Sequence, residues 1–286
     1  MKPAPFAYAR PASLEDALAL LADGAHGDAR VLAGGQSLMP VMSFRLAEPD
    51  MLVDIDGLSE LAGIAETDGS LRIGAMTRQA ELLASPLARQ HAPLLAMALP
   101  HVGHPAIRNR GTIGGSLALA DPAAEIPACA LALGATIRIA GRARQRAVSA
   151  DDFFTGLYET ALQSGELVTA LEIPQPGSGE RFAFQELAPR HGDYAMAGVA
   201  VAARVAGTIE AIRIVLFAVA DRPLRATAAE AALTGRSLGD ADALAAARET
   251  LTGLPFAGDL HATAETKRHW AGVLLARAVT ELEASA

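Results

Sequence analysis

The chain is short of cysteine, aromatic residues and long apolar runs, and each shortage removes a class of function. A single cysteine, Cys129, excludes an internal disulfide framework and any cluster held by four cysteines of this chain. It lies in the apolar run 126–131 and reads as a buried structural thiol. Aromatic residues at 4% leave no stacking platform for single-stranded bases, and a net charge of −8 leaves no basic stripe for a duplex. A nucleic-acid partner is therefore not expected. No stretch of about 18 apolar residues escapes interruption, so no transmembrane segment is expected; the best candidates are cut by Glu125 and Arg204. The opening "MKPAPFAYARP" has no basic segment followed by an apolar one, which argues against a signal peptide and for a cytoplasmic location.

What is present is core-forming material. With 286 residues, 51% hydrophobic and 20% charged, the chain can bury two domains or one large one. Ser13 is placed to cap a helix carrying Leu14, Leu18 and Leu21 on one face, with Asp16 at the third helical position. Short strands are expected over 29–33 and 51–55, and a hairpin around Gly69-Ser70. Helices are expected over 77–83 and 91–99, punctuated by Pro86 and Pro100. Asp121-Pro122 reads as the cap and first residue of a helix running to Leu133. Strands "TIRIAG", "RQRAV" and "ELVTALEIP" follow, with a short helix over 150–154 between them. The segment 174–179, "PQPGSG", has no apolar side chain and is the best linker, so a domain boundary is set near residue 177. Long apolar strands over 198–205 and 209–219 and alanine-rich helices complete the chain.

Two segments carry the chemistry. "AGGQS" at 33–37 and "TIGGS" at 112–116 each place two glycines beside a short hydroxyl. Either alone reads as a turn or a close-packing site. Together they suit a diphosphate, because backbone N–H groups and hydroxyls form an anion nest without a cationic side chain. Neither fits G-x-G-x-x-G or the Walker A pattern. His101 and His104 share no unbroken helix, because Gly103 and Pro105 intervene, and no third ligand is near; no metal site is expected. A serine hydrolase elbow is absent as well.

"AGGQSLMP", "IRNRGTIGGSLALADPAAEIPA" and "RHGDYAMAGVAV", in that order and with "VADRPLRA" after them, resemble the FAD-binding medium subunit of the molybdenum hydroxylases, the xanthine dehydrogenase and carbon monoxide dehydrogenase type. The resemblance runs over essentially the whole chain. It implies an α+β fold: a PCMH-type, vanillyl-alcohol-oxidase-like FAD-binding domain over 1–177, with subdomains at about 1–56 and 57–177. A smaller C-terminal domain over 178–286 would combine an antiparallel sheet with a helix bundle. Residues Leu32, Ala33, Gly34, Gly35, Gln36, Ser37 and Leu38 would wrap the FAD diphosphate from one side. Thr112, Ile113, Gly114, Gly115 and Ser116 would meet it and the ribityl chain from the other. Glu125 falls where the family carries an acidic residue bonded to a sugar hydroxyl; the rival reading is a solvated residue in a first helical turn. By the same resemblance Leu167 would be a further cofactor contact. Tyr194 matches the aromatic covering one face of the flavin ring, with a core tyrosine as the alternative. Gln185 stands where many relatives have a lysine, so that positive charge is missing. Asp121 is read as a cap rather than a contact.

The functional expectation follows from the resemblance. A large molybdopterin subunit hydroxylates the substrate, a small subunit relays electrons through [2Fe-2S] clusters, and the FAD of this chain collects them. The whole would assemble as a dimer of heterotrimers. No side chain of this chain would be an acid–base catalyst; binding and redox tuning are its share. Two alternatives stay open at this level, a self-sufficient flavin oxidase and a flavin-free scaffold. The substrate and the electron acceptor are not readable.

Overall fold

A computed structural model describes residues 2–284. Three elements of parallel sheet begin the chain: β1 (Ala7–Ala9), then α1 (Leu14–Ala22), β2 (Ala29–Leu32), α2 (Leu38–Ser43) and β3 (Met51–Asp54). The sheet order is β1-β3-β2, both pairings parallel, so the turn after β2 emerges at a carboxyl edge. The Ser13 cap forms as expected, its Oγ accepting from the N–H of Asp16. Leu18 of α1 packs on Met51 and Val53 in a small core of its own.

The middle of the chain runs β4 (Ile64–Thr67), β5 (Ser70–Gly74), α3 (Gln79–Ala84), α4 (Pro86–His91), α5 (Pro93–Ala98), α6 (Pro105–Arg108), α7 (Ile113–Leu119) and α8 (Glu125–Ala132). It continues with β6 (Thr136–Ala140), β7 (Gln145–Ser149), α9 (Ala150–Phe153), β8 (Phe154–Gly156), β9 (Glu159–Thr160) and β10 (Leu167–Pro174). An antiparallel five-stranded sheet has the order β4-β5-β10-β6-β7. Its central strand, β10, carries a bulge between Val168 and Ala170, where the carbonyl of Thr169 accepts from the N–H of Ala75. Bulges of this kind bend a strand beside a site. All eight residues of α8 are buried, as an all-round apolar helix must be.

The expected helix over 91–99 is α5, which starts two residues later than expected, because His91 ends α4. Pro93 has no N–H to continue α4, and Ala92 leaves helical geometry at φ −140°. Pro86 starts a helix rather than stopping one, at the first position where its missing donor is harmless. The helix expected from Asp121-Pro122 begins only at Glu125; Asp121 Oδ1 instead accepts from the N–H of Ala123 and closes a turn.

After the 174–179 segment come β11 (Glu180–Leu187), β12 (Ala197–Ala206), β13 (Thr208–Phe217), β14 (Leu224–Arg225), α10 (Thr227–Leu233), α11 (Ala241–Thr250) and α12 (Ala264–Ala284). The four strands form one antiparallel sheet in chain order. Strand alternation splits its side chains between two cores. Val199, Val201, Ile214 and Leu216 face the C-terminal helices, while Ala200, Val215 and Phe217 join a core containing α5 and α8. Each fully buried Leu, Ile or Phe there contributes about 1.5–3 kcal/mol of transfer free energy. No described helix is long and apolar enough to cross a membrane.

Candidate functional site

The turn 33–37 and the start of α7 lie against each other. A Cβ on Gly34 would fall 2.2 Å from the carbonyl oxygen of Arg110, so the close approach requires glycine. The same carbonyl accepts from the Arg78 guanidinium, which also pairs with Asp56 just beyond β3. Gly35 takes φ +71°, the left-handed region that L side chains resist. Gln36 turns back on the loop, its Nε2 donating to the carbonyl of Gly34 at 3.0 Å. Among the described residues, the successive N–H groups of Gly34, Gly35, Gln36, Ser37 and Leu38 donate to no protein acceptor. Five successive donors without partners, on residues that all line one cavity, suit an anion nest.

The second glycine pair is not a loop. Thr112 caps α7, its Oγ1 accepting from the N–H of Gly115 at 3.1 Å, and Gly114 and Gly115 form the first helical turn. The N–H of Gly114 donates to the carbonyl of Ala75 at 2.7 Å. A Cβ on Gly114 would lie 2.5 Å from the Cβ of Ala75, so this glycine seats the helix on the end of β5. Gly115 faces the other jaw, with the Cβ of Ala33 3.8 Å from where its own would stand.

Between the two segments runs a cavity of about 520 Å³, within the range of small-molecule sites. Its walls include Ala33 to Leu38, Thr112, Gly114, Gly115, Ser116, Glu125, Leu167 and, at the mouth, Tyr194. Leu32 lies beneath the turn, and Ile113 points into the core with no exposure. Tyr194 is 72% exposed, which excludes the core-tyrosine reading. Gln185 is elsewhere: its Nε2 donates to Glu281 of α12 at 2.8 Å, and it does not line the cavity. Among the described residues, Arg30 is the one lysine or arginine on the wall, and it is paired with Asp28 at 2.9 Å, so attraction for an anion rests on the backbone donors.

The acidic end of the cavity is buried. Burial pushes Glu125 up to about 8, with the charges of Glu186 and Asp121 adding to the rise. The solvated reading of Glu125 therefore fails. Burial also raises Asp121, against hydrogen bonds from Ala123 and, at 3.5 Å, the Tyr158 hydroxyl. Asp121 both closes its turn and lines the cavity.

Residues 4–176 match the FAD binding domain in molybdopterin dehydrogenase, and residues 182–282 the CO dehydrogenase flavoprotein C-terminal domain. The chain belongs to this family. It is 40% identical to the carbon monoxide dehydrogenase medium chain of Afipia carboxidovorans, over 100% of this chain and 99% of that one. It is 39% identical to subunit alpha of the 6-hydroxypseudooxynicotine dehydrogenase complex of Paenarthrobacter nicotinovorans, over 93% and 90%. Reconstituted carbon monoxide dehydrogenase from Oligotropha carboxidovorans superposes with a TM-score of 0.96 at 40% identity, covering both chains fully. The chain is thus an oxidoreductase component: the FAD-carrying, electron-transferring medium subunit of a multi-subunit molybdenum hydroxylase.

The flavoprotein's own residues fit that cofactor. Gly34 holds the jaws at contact distance, the nest supplies donors, and one buried polar atom on the wall, Gln79 Oε1, has no protein partner. Sequence reasoning missed Gln79, whose carboxamide lies against the Cα of Gly111. It missed Glu166 too, which lines the cavity while paired with Arg146 at 2.6 Å. Neither belongs to a recognisable pattern; only the packing brings them to the wall.

Proposed function

We propose that the cavity between the 33–38 turn and α7 holds the FAD, with the diphosphate on the free N–H groups of Gly34 to Leu38. That run of donors without protein acceptors carries the reading. Thr112, Gly115 and Ser116 line the opposite side, Leu167 and Glu125 the interior, and Tyr194 covers the exposed end. FAD supplies the redox chemistry: it accepts electrons one at a time and passes them on singly or as a pair. The protein's part is to bind, orient and shield it. Gln185 is not assigned a role at the cofactor.

The electrons come from [2Fe-2S] clusters of a small partner subunit, fed by a large molybdopterin subunit, in a dimer of heterotrimers located in the cytoplasm. Support comes from the relatives, which are named as a medium chain and as one subunit of a complex. Relatives named for substrates as unlike as carbon monoxide and a nicotine derivative share this subunit, which favours a substrate site on another chain. The purified chain is expected to be yellow, to be bleached by dithionite, and to stay oxidised with small organic substrates. Turnover of such a substrate by the isolated chain would sink the electron-transfer reading in favour of a self-sufficient oxidase.

A further inference from the structure

Glu125 is the inner end of a line of titratable groups that runs from the cavity to the surface by way of β11 and the segment after α5, which packs on that strand. Glu125 opens α8 and is 7% exposed. Glu186 of β11, whose charge acts on Glu125, has a side chain only 2% exposed. Glu186 Oε2 is buried with no hydrogen-bond partner, and Oε1 lies 3.8 Å from Nδ1 of His101. The His101 ring meets that of His191 edge-on at 5.5 Å between centroids, and His191 is exposed. Phe184 packs on the same His101 ring at 5.2 Å and walls the line on one side.

The groups around this line do not neutralise it. Arg108, the cation of neighbouring α6, donates to the carbonyls of Pro100, Val102 and Gly103. Among the described residues no lysine or arginine pairs with Glu125 or Glu186. Asp121 and Tyr194 flank the cavity end, and Cys129 lies one helical turn below Glu125, its thiol pushed up by burial and by both carboxylates. Burial raises Glu186 to about 7, close to the value of Glu125, and lowers His101 with help from His191. Two carboxyls whose affinities lie near each other and near neutrality exchange a proton without a large uphill step.

A buried carboxyl that meets a histidine on one oxygen and leaves the other without a hydrogen-bond partner is not a settled structural pair. We propose that Glu125, Glu186, His101 and His191 form a proton path between solvent and the cofactor cavity. The inference rests on the cavity being the FAD site. An iron–sulfur donor delivers electrons without protons, whereas a flavin reduced by two electrons near neutral pH takes up at least one proton. On reduction the O–H bond of Glu125 gives its proton to the cofactor. Glu186 reprotonates Glu125, His101 reprotonates Glu186, and solvent restores His101 by way of His191; reoxidation runs the line backwards. Glu125 is the catalytic residue of this path, and Glu186 and His101 act through it.

The test uses the full-length chain loaded with FAD and a one-electron reductant that carries no proton, reduced methyl viologen, in stopped flow with a pH-sensitive dye. Glu186→Gln is expected to slow proton uptake and flavin bleaching together, by at least about tenfold, with unchanged FAD content. His101→Ala should show the same defect and be rescued by added imidazole; a merely structural role predicts no rescue. Because His101 is at the surface end, that variant carries the test if Glu186→Gln fails to fold. The pH dependence of the flavin midpoint potential gives a readout apart from rate, and it should flatten in Glu125→Gln. Bound FAD with wild-type rates and proton uptake in both Glu186→Gln and His101→Ala overturns the path alone. A wild-type chain that takes up no FAD overturns the path and the cofactor reading together.

Discussion

Gly34-Gly35 and Gly114-Gly115 have the same letters and opposite construction. The first pair stands in a turn whose N–H groups reach no protein acceptor, and the second in a helical turn whose N–H groups are already engaged by Ala75 and Thr112. In the turn, one glycine is required by contact and the other by backbone angle: Gly34 touches the Arg110 carbonyl, and Gly35 sits at φ +71°. In the helix, Gly114 is required by contact with Ala75, away from the cavity's other jaw. A glycine pair beside a hydroxyl thus reports close backbone approach in both cases, and free backbone donors in only one.

Substitutions can pull these roles apart. The largest effect is expected from Gly34→Val, which drives a branched side chain into the Arg110 carbonyl. It should lose all flavin and about 3 kcal/mol or more of stability, read by flavin absorbance and thermal unfolding. Gly114→Ala should cost about 1–3 kcal/mol, and should do so in the FAD-free protein, because the added methyl meets Ala75. Lost flavin with unchanged stability of the FAD-free chain would instead put that methyl in the cofactor's space. Gly35→Ala asks a side chain to adopt a left-handed angle, worth about 1 kcal/mol. Isothermal titration with FAD should show about a fivefold weaker affinity, with the jaws still closed. Gln185→Ala should be the mildest: it loses the bond to Glu281, about 1 kcal/mol, and leaves the flavin spectrum untouched.

Much of this was legible from the letters. Ser13, the 69–70 hairpin, strand β10 and the two long C-terminal strands follow from caps and alternation, which act locally. The jaws' membership was legible through resemblance, while their geometry was not. Nothing in "TIGGS" says helix rather than loop, because two adjacent glycines weaken a helix, and only the Thr112 cap and the seat on Ala75 overcome that. Asp121-Pro122 looked like a helix start because that pair suits one, and tertiary placement moved the start to Glu125. Gln79 and Glu186 had no local signal at all. Each matters through a neighbour far along the chain, Gly111 in one case and His101 in the other.

The C-terminal sheet, with helices α10 to α12 on one face and α5 and α8 on the other, has a consequence for how the molecule comes apart. The 174–179 segment joins two sequence families without separating two cores. A protease cutting there would release nothing: Val215 and Phe217 would stay buried against the other fragment. The halves would travel as one particle, and a gene split at that point would yield a working protein only if both pieces were made together. The cavity takes Gly192, Asp193 and Tyr194 from the C-terminal half, so a site built mostly before the 174–179 segment is completed only after it.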